Sequence, residues 1–374
     1  MRILQVARQF YPKVGGIESC VLNLSRGLAA RGHHVEVVTL DRDLQSGRPL
    51  VSPQEIDSIP IHRVGYFGSR RYPIAPSWLK FAAGFDVIHI HAIDFFIDSA
   101  AVATFLGLNR KPIIVTTHGG IFHTAAWRLL KNLYWRFLLK RTLTLAERVV
   151  AVSEKDASLF ASIVPRQKLV TIPNGVDPIF QETKVGTVRN RLVCIGRVSA
   201  SKAIEKILQL VAPLAREFDN LELIIAGPDE GGTADALHRE ANVLGIATRV
   251  KILGEMELGE LATLVGSAHL FLSAAPHEGF GITTVEALSA GVPVLVTRTG
   301  VHEQIVEPDV NGWFWTGQPD AEATATLRAA LLLPDDRLAQ MRASARESAA
   351  PFSWETTTDR YEAVFESAHR QTVR

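Results

Sequence analysis

The chain of 374 residues has little cysteine, no excess of charge of either sign and no long apolar run. Its two cysteines, Cys20 and Cys194, lie far apart in apolar surroundings. They read as reduced core thiols of a cytoplasmic protein rather than a disulfide or a metal pair. Forty basic against 39 acidic side chains leave a formal charge of +1, which gives no general basis for holding nucleic acid. No stretch reaches about 18 uninterrupted apolar residues, so no membrane span is expected. The opening Met1-Arg2-Ile3-Leu4-Gln5-Val6-Ala7-Arg8 has no apolar segment bounded by a cleavage site, and no signal peptide is expected. Low-complexity segments are missing as well. Also missing is Gly-x-Gly-x-x-Gly in the first strand-turn-helix, which argues against a nicotinamide enzyme.

What is present suits two α/β domains. The length fits two ordinary domains, and 47% apolar residues suffice for two cores. Arg2 to Ala7 is a short apolar strand, and Ile17 to Arg31 has the apolar spacing of a helix at 17, 21, 24 and 28. A second strand follows from His34 to Leu40, a Rossmann-like opening. Further strands are expected at 86–91, 112–117, 147–153 and 168–172. Arg191-Leu-Val-Cys-Ile-Gly-Arg197 echoes the opening and restarts the pattern, with strands at 191–196, 221–227, 250–253, 270–272 and a last one at 292–296. The polar stretch 178–190 suits a linker, and Phe352-Ser353-Trp354 precedes a final helix.

The richest segment is Pro276-His-Glu-Gly-Phe-Gly-Ile-Thr-Thr-Val-Glu-Ala-Leu-Ser-Ala-Gly-Val-Pro293. It reads as strand end, glycine turn and a helix from about Thr283 to Ala290. Gly279 and Gly281 let backbone N–H groups approach a ligand. The helix N-terminus carries unpaired N–H groups and partial positive charge, which suits a phosphate. Glu278 at that mouth is better placed for sugar hydroxyls than for phosphate, and Glu286 inside the helix has the reach of a ribose. Arg197 and Lys202, after the strand at 191–196, are two cations fit to stabilise a leaving diphosphate. His118 ends a buried strand, where doubly wound folds open a ligand crevice.

Other patterns carry less. Asp41-Arg42-Asp43 matches a metal triplet but suits a solvated loop better. His33-His34 and His89-Ile90-His91 lack a third ligand at convincing spacing, so no metal is expected. Residues 127 to 141 hold five basic and no acidic side chains, with Trp127, Tyr134 and Trp135 among the leucines. Such a helix suits a membrane interface. A domain helix burying Leu130, Leu133 and Phe137 is the competing reading.

The string Pro-x-Glu-Gly-Phe-Gly followed by Glu-Ala-Leu-Ser-Ala-Gly-Val-Pro-Val closely resembles the signature of the family 4 retaining glycosyltransferases. Pro173-Asn174-Gly175-Val176-Asp177 resembles that family's inter-domain motif, and the resemblance covers nearly the whole chain. It implies the GT-B fold: α/β, two Rossmann-like domains facing a central cleft. The domains would be an acceptor-binding one at 1–183, a nucleotide-sugar-binding one at 187–352, and a C-terminal helix at 353–374 returning to the first. It implies His118, Glu278, Arg197 and Lys202 as catalytic residues. Donor binding falls to Gly15, Gly16, Gly227, Met256, Leu258, Gly279, Phe280, Gly281, Ile282 and Glu286. Acceptor or membrane contact falls to Tyr11, Trp127, Lys131 and Trp135. No cofactor is implied. One departure stands out: the family usually has glycine after the lysine, and here it is Ala203.

Four strings are similar to the α-1,3-mannosyltransferases of xanthan and acetan assembly. They are Arg8-Gln9-Phe10, Arg71-Tyr72-Pro73-Ile74-Ala75-Pro76, His91-Ala92-Ile93-Asp94-Phe95-Phe96, and Thr117-His118-Gly119-Gly120-Ile121-Phe122-His123-Thr124. That likeness implies GDP-mannose as donor, a lipid-linked oligosaccharide (cellobiosyl-diphosphoprenol) as acceptor, and a cytoplasmic protein held at the inner face of the cell membrane. A UDP-hexose donor or another acceptor remains open. So do two other classes on the same fold: a nucleotide-sugar epimerase or hydrolase, and a non-catalytic binding module.

Overall fold

Apolar strands alternate with helices along the chain and sort it into two units, each on its own parallel sheet. The computed structural model describes residues 1–12, 15–44, 46–50, 54–70, 72–119, 133–183 and 185–373.

Unit 1 comprises Met1–Gly175 and Trp354–Arg374. Its strands are β1 (Arg2–Val6), β2 (His34–Leu40), β3 (Glu55–Ile56), β4 (Ile59–Val64), the hairpin β5 (Phe67–Ser69) and β6 (Tyr72–Ile74), β7 (Val87–His91), β8 (Ile113–Thr116), β9 (Arg148–Ala151) and β10 (Leu169–Thr171). The sheet order is β10-β9-β8-β7-β1-β2-β4-β3, and only the β3–β4 pair in it is antiparallel. Parallel strands need crossover segments that cover both faces, so β7 and β8 are buried along their length; β8 is a largely apolar run, whereas β7 buries His89 and His91 among Val87, Ile88 and Ile90. The helix Gly16–Ala30 turns Cys20, Leu24 and Leu28 onto one face of the sheet. The C-terminal helix Trp354–Val373 adds Trp354, Tyr361, Phe365 and Ala368 to the same cluster, against Ile3, Val87 and Ile114.

Unit 2 comprises Val176–Ser353. Its strands β11 (Arg191–Ile195), β12 (Glu222–Ala226), β13 (Val250–Ile252), β14 (Leu270–Ser273), β15 (Val294–Thr297) and β16 (Gly312–Trp315) run in the order β13-β12-β11-β14-β15-β16, all parallel. That is the doubly wound order, in which the direction of winding reverses between β11 and β14. Ligands bind beyond the carboxyl ends of the strands at such a reversal.

Two sequence expectations differ from this architecture. The sheet does not end near Val296: β16 follows, its Gly-Trp-Phe-Trp paired in register with Val294–Thr297. The stretch 178–190 is not simply a linker. It contains the helix Pro178–Glu182, capped by Asp177, with Phe180 fully buried. This helix packs on the helices Leu258–Gly266 and Ile282–Ser289, so it belongs to unit 2 and the division falls at Gly175/Val176 rather than at 183.

Candidate active site

In unit 2 the chain leaves β11 through Gly196 and leaves β14 toward Glu278, the two strands flanking the winding reversal. Gly196 and Gly227 must both be glycine. They sit at φ +116° and +145°, and a Cβ on Gly227 would lie 1.9 Å from the Gly196 carbonyl oxygen. Two strand ends thereby approach more closely than side chains allow. Gly227 N–H also donates to the carbonyl of Gly254 at 2.7 Å, tying in the loop that carries Met256 and Leu258.

The two expected cations are already engaged. Lys202 Nζ donates to Glu278 Oε1 at 2.5 Å, both side chains mostly buried. Arg197 donates to Glu230 Oε2 at 3.2 Å in a far more exposed setting, where such a pair contributes little. Glu278 is braced from behind by its own N–H, which donates to Thr299 Oγ1 at 3.0 Å. Gly281, at φ +97°, starts the helix Ile282–Ser289, and a Cβ there would lie 2.7 Å from His302 Nε2. Gly279 and Phe280 form the turn between them. The Phe280 carbonyl accepts from Val301 N–H at 2.7 Å, and its ring lies 5.9 Å from that of Phe352.

Glu286 lies one turn into that helix. Burial pushes its carboxyl up to about 7, the charge of Asp177 adds to the shift, and Lys202 opposes it. Behind the group, burial pushes the Cys194 thiol up to about 12, again within the fields of Lys202 and Glu278. Lys202, Glu278 and Glu286 thus form one electrostatic cluster at the winding reversal.

Sequence reasoning missed His302 and Thr299. His302 is fully buried, with Nδ1 at 2.7 Å from the Thr297 carbonyl, to which it donates, and Nε2 accepting from Thr284 at 2.8 Å. It ties the end of β15 to the start of the helix. The only signal was the pair Thr299-Gly300 after a buried strand. Ala203 explains the family's preference for glycine: it adopts φ +50°, ψ +40°, the left-handed region, as it caps the helix Ile204–Val211. Ala203→Gly is therefore expected to stabilise unit 2 by about 1 kcal/mol, a rise in melting temperature of about 2–4 °C. A lower melting temperature in calorimetry would refute that account of the position.

In unit 1, His118 follows β8 and is itself left-handed at φ +49°. Its Nε2 lies 3.1 Å from His91 Nδ1, and burial lowers it to about 4. His89 and His91 share a strand, as their spacing requires, and their rings lie 4.1 Å apart. The Cys20 thiol and the His91 and His118 nitrogens lie within 4.8 Å of one another, a third neighbour that spacing could not reveal. Asp43 accepts from the Ser46 N–H and hydroxyl, an ordinary loop turn. Gly15 caps and Gly16 begins the helix Gly16–Ala30, and Tyr11 stacks edge-on against Phe10 at 5.4 Å.

Trp127 and Lys131 lie outside the described residues. Trp135 does not fit the acceptor or membrane role, because it is buried in the core against Phe160 at 4.8 Å. The competing core-helix reading fails too, since Leu133 and Phe137 are exposed. Trp135 and Leu139, four residues apart, share the inward face, while Phe137 and Leu138 turn outward; a π-helical turn spans Tyr134–Leu139.

Comparison with known proteins agrees with this fold. A profile described as Glycosyltransferase Family 4 matches residues 14–180, and one described as Glycosyl transferases group 1 matches residues 176–348. A GDP-mannose:cellobiosyl-diphosphopolyprenol alpha-mannosyltransferase of Komagataeibacter xylinus is 35% identical, covering 98% of this chain and 93% of its own. A protein of the same name from Xanthomonas oryzae pv. oryzae is 33% identical, covering 96% and 95%. Among solved structures, sucrose-phosphate synthase from Thermosynechococcus elongatus superposes with a TM-score of 0.79 over 98% of each chain, at 19% identity.

Proposed function

The chain belongs to glycosyltransferase family 4 and has its GT-B fold, and from that premise we propose that it moves mannose from GDP-mannose to a cellobiosyl-diphosphopolyprenol, with retained stereochemistry, during exopolysaccharide assembly. The names of the relatives support donor and acceptor. The observation that carries the chemistry is the cluster of Lys202, Glu278 and Glu286 at the winding reversal of unit 2.

In this reading unit 2 holds the nucleotide. Glu286 accepts from the ribose hydroxyls, and the Gly254–Leu258 loop meets the base. Arg197, Lys202 and the N–H groups at the start of the helix Ile282–Ser289 take the diphosphate. Lys202 exchanges Glu278 for phosphate, which frees Glu278 to accept hydrogen bonds from the sugar. The family resemblance makes His118 the contact to the donor sugar. As the sugar–diphosphate bond breaks, positive charge develops on the ring. The acceptor oxygen then bonds on the same face, and its proton passes to the departing diphosphate. This differs from the paired carboxylates of glycosidases.

A thermal-shift panel of GDP, UDP and ADP with their sugars tests the donor. A ligand at a hundred times its dissociation constant stabilises by about 2.7 kcal/mol. A shift with guanine compounds alone is expected. A shift with uracil compounds alone would keep the family and replace the donor by a UDP-hexose.

Glu286 makes nucleotide binding pH-dependent. Its folded value, about 7, lies above the ordinary 4.5, so the native state holds a proton there that the unfolded chain releases. That contribution to stability is present below the ordinary value and is lost as pH rises to 7. Ribose hydroxyls prefer the ionised form, so GDP affinity should climb from about pH 5.5 and level off by about pH 8.5. In Glu286→Gln the part of the climb not due to GDP itself should vanish. Identical profiles in the two proteins would remove Glu286 from the ribose.

Unit 1 carries an exposed apolar surface for a lipid-linked acceptor. Val102, Phe105, Leu106 and Leu108 stand at and beyond the end of the helix Phe95–Phe105, with Phe105 81% exposed. Leu133 stands just before, and Phe137 and Leu138 on, the neighbouring π-helical segment, and Arg110, Lys140 and Arg141 close to them in sequence are exposed. Asp98 accepts from Tyr134 and Thr142, which joins the two elements. No helix among the described residues is long and apolar enough to cross a membrane. This face would lie on an anionic bilayer. Phe105→Asp with Leu108→Asp should abolish cosedimentation with phosphatidylglycerol vesicles, and undiminished cosedimentation would count against this face.

A further inference from the structure

A buried line of side chains in unit 1 runs from the C-terminal helix to His118. Tyr361 Oη lies 2.9 Å from Thr116 Oγ1, which lies 2.7 Å from His89 Nε2. His89 Nδ1 and His91 Nε2 each lie 2.8 Å from Gln5 Oε1. His91 Nδ1 then meets His118 Nε2 at 3.1 Å. Gln5, His89 and His91 are fully buried.

Burial holds the three rings below the ordinary imidazole range. Each ring is therefore neutral near pH 7, with one N–H and one lone pair. A neutral ring that donates at one nitrogen must accept at the other, so direction propagates along the line. Gln5 sits at its centre and touches both strand histidines. With its carbonyl toward them, His89 donates from Nδ1 and His91 from Nε2. Then His89 Nε2 accepts from Thr116, His91 Nδ1 accepts from His118 Nε2–H, and His118 Nδ1 is left as a bare acceptor. With the amide reversed, every bond reverses and His118 carries its proton on Nδ1. As placed, Gln5 presents the carbonyl, and its Nε2 has no partner among the described residues.

We propose that Gln5 and His91 are positioning residues that lock the three histidines into one concerted proton arrangement and thereby fix whether His118 Nδ1, the nitrogen not turned to His91, carries a lone pair or a proton toward the ligand. The proposal rests on the reading of His118 as the contact to the donor sugar. The sugar's hydroxyls can donate and accept, so they do not dictate the tautomer. The protein does, before the donor arrives, and no reorganisation is then needed at the moment of transfer. Sequence alone could not show this, because β1, β7 and β8 bring Gln5, His91 and His118 together from three separate segments.

The arrangement is read directly by 15N correlation spectra of ligand-free protein labelled at histidine. Two patterns support the proposal: protons on His89 Nδ1, His91 Nε2 and His118 Nε2, or protons on His89 Nε2, His91 Nδ1 and His118 Nδ1. A mixed set, or an imidazolium at neutral pH, overturns it. So does a spectrum altered by EDTA, which would mean that a metal ion on Cys20, His91 and His118 holds the rings instead. Kinetics supply the second arm. His91→Leu should lower kcat roughly tenfold or more with donor KM changed by less than about twofold. His91→Asn, whose amide can replace Nδ1 toward His118, should recover most of kcat. Equal loss in both variants would make His91 merely structural. A His118→Leu variant with full activity would instead defeat the donor-sugar reading and leave the spectral result standing.

Discussion

Glu278→Gln is expected to lower transfer by about 10²–10³-fold, the usual cost of removing one group that answers charge in the transition state. Nucleotide binding should survive, and GDP should bind somewhat more tightly. The reason is the 2.5 Å contact to Lys202. In the resting protein this cation is held by Glu278, so an arriving diphosphate must displace a carboxylate to reach it. Glutamine keeps the shape and removes the competing charge. Turnover at the unaltered rate would take Glu278 out of the site. Lost GDP binding would show that the pair holds the loop together rather than serving the sugar. Calorimetric titration beside a radiochemical transfer assay separates the three cases.

Arg197→Ala combined with Lys202→Ala should weaken GDP binding by about 10²-fold or more, since each hydrogen bond to a charged group is worth about 1.5–3 kcal/mol. The two single variants should differ. Arg197 is more than half exposed and pairs with Glu230, so its loss removes a phosphate contact and little else. Loss of Lys202 also leaves Glu278 mostly buried without that partner. It should therefore lower the melting temperature as well as the affinity. A double variant that binds GDP as the unaltered protein does would move the diphosphate elsewhere.

Much of this was legible in the chain. Strands buried on both faces, such as Ile113–Thr116 and Leu270–Ser273, announce themselves as largely apolar runs. Gly281 was readable as a turn residue because a helix must begin where it stands. Ala203 was readable as an anomaly, and its left-handed backbone supplies the cause. The failures have physical reasons too. Trp135 points inward with Leu139, a face that i,i+4 spacing allows as readily as the one through Leu133 and Phe137, so packing and not periodicity chooses between them. The strand Gly312–Trp315 follows directly on Asn311-Gly312, which reads as a turn and hides its start. Pairing of Lys202 with Glu278, 76 residues apart, depends on two strand ends meeting, which no local pattern encodes.

The composition of unit 1 sets a timetable for biosynthesis. Its core cluster around Ile3, Leu24, Leu28, Val87 and Ile114 is completed by Tyr361 and Phe365. Residues 176–353 must be translated between the two parts. At roughly 5–20 residues per second the ribosome takes on the order of ten seconds or more to cover that span. Through that interval the nascent first unit carries an uncovered apolar strip, while unit 2 has everything it needs to fold as a continuous segment. The second unit is thus positioned to mature before the first, in the reverse of their order along the messenger.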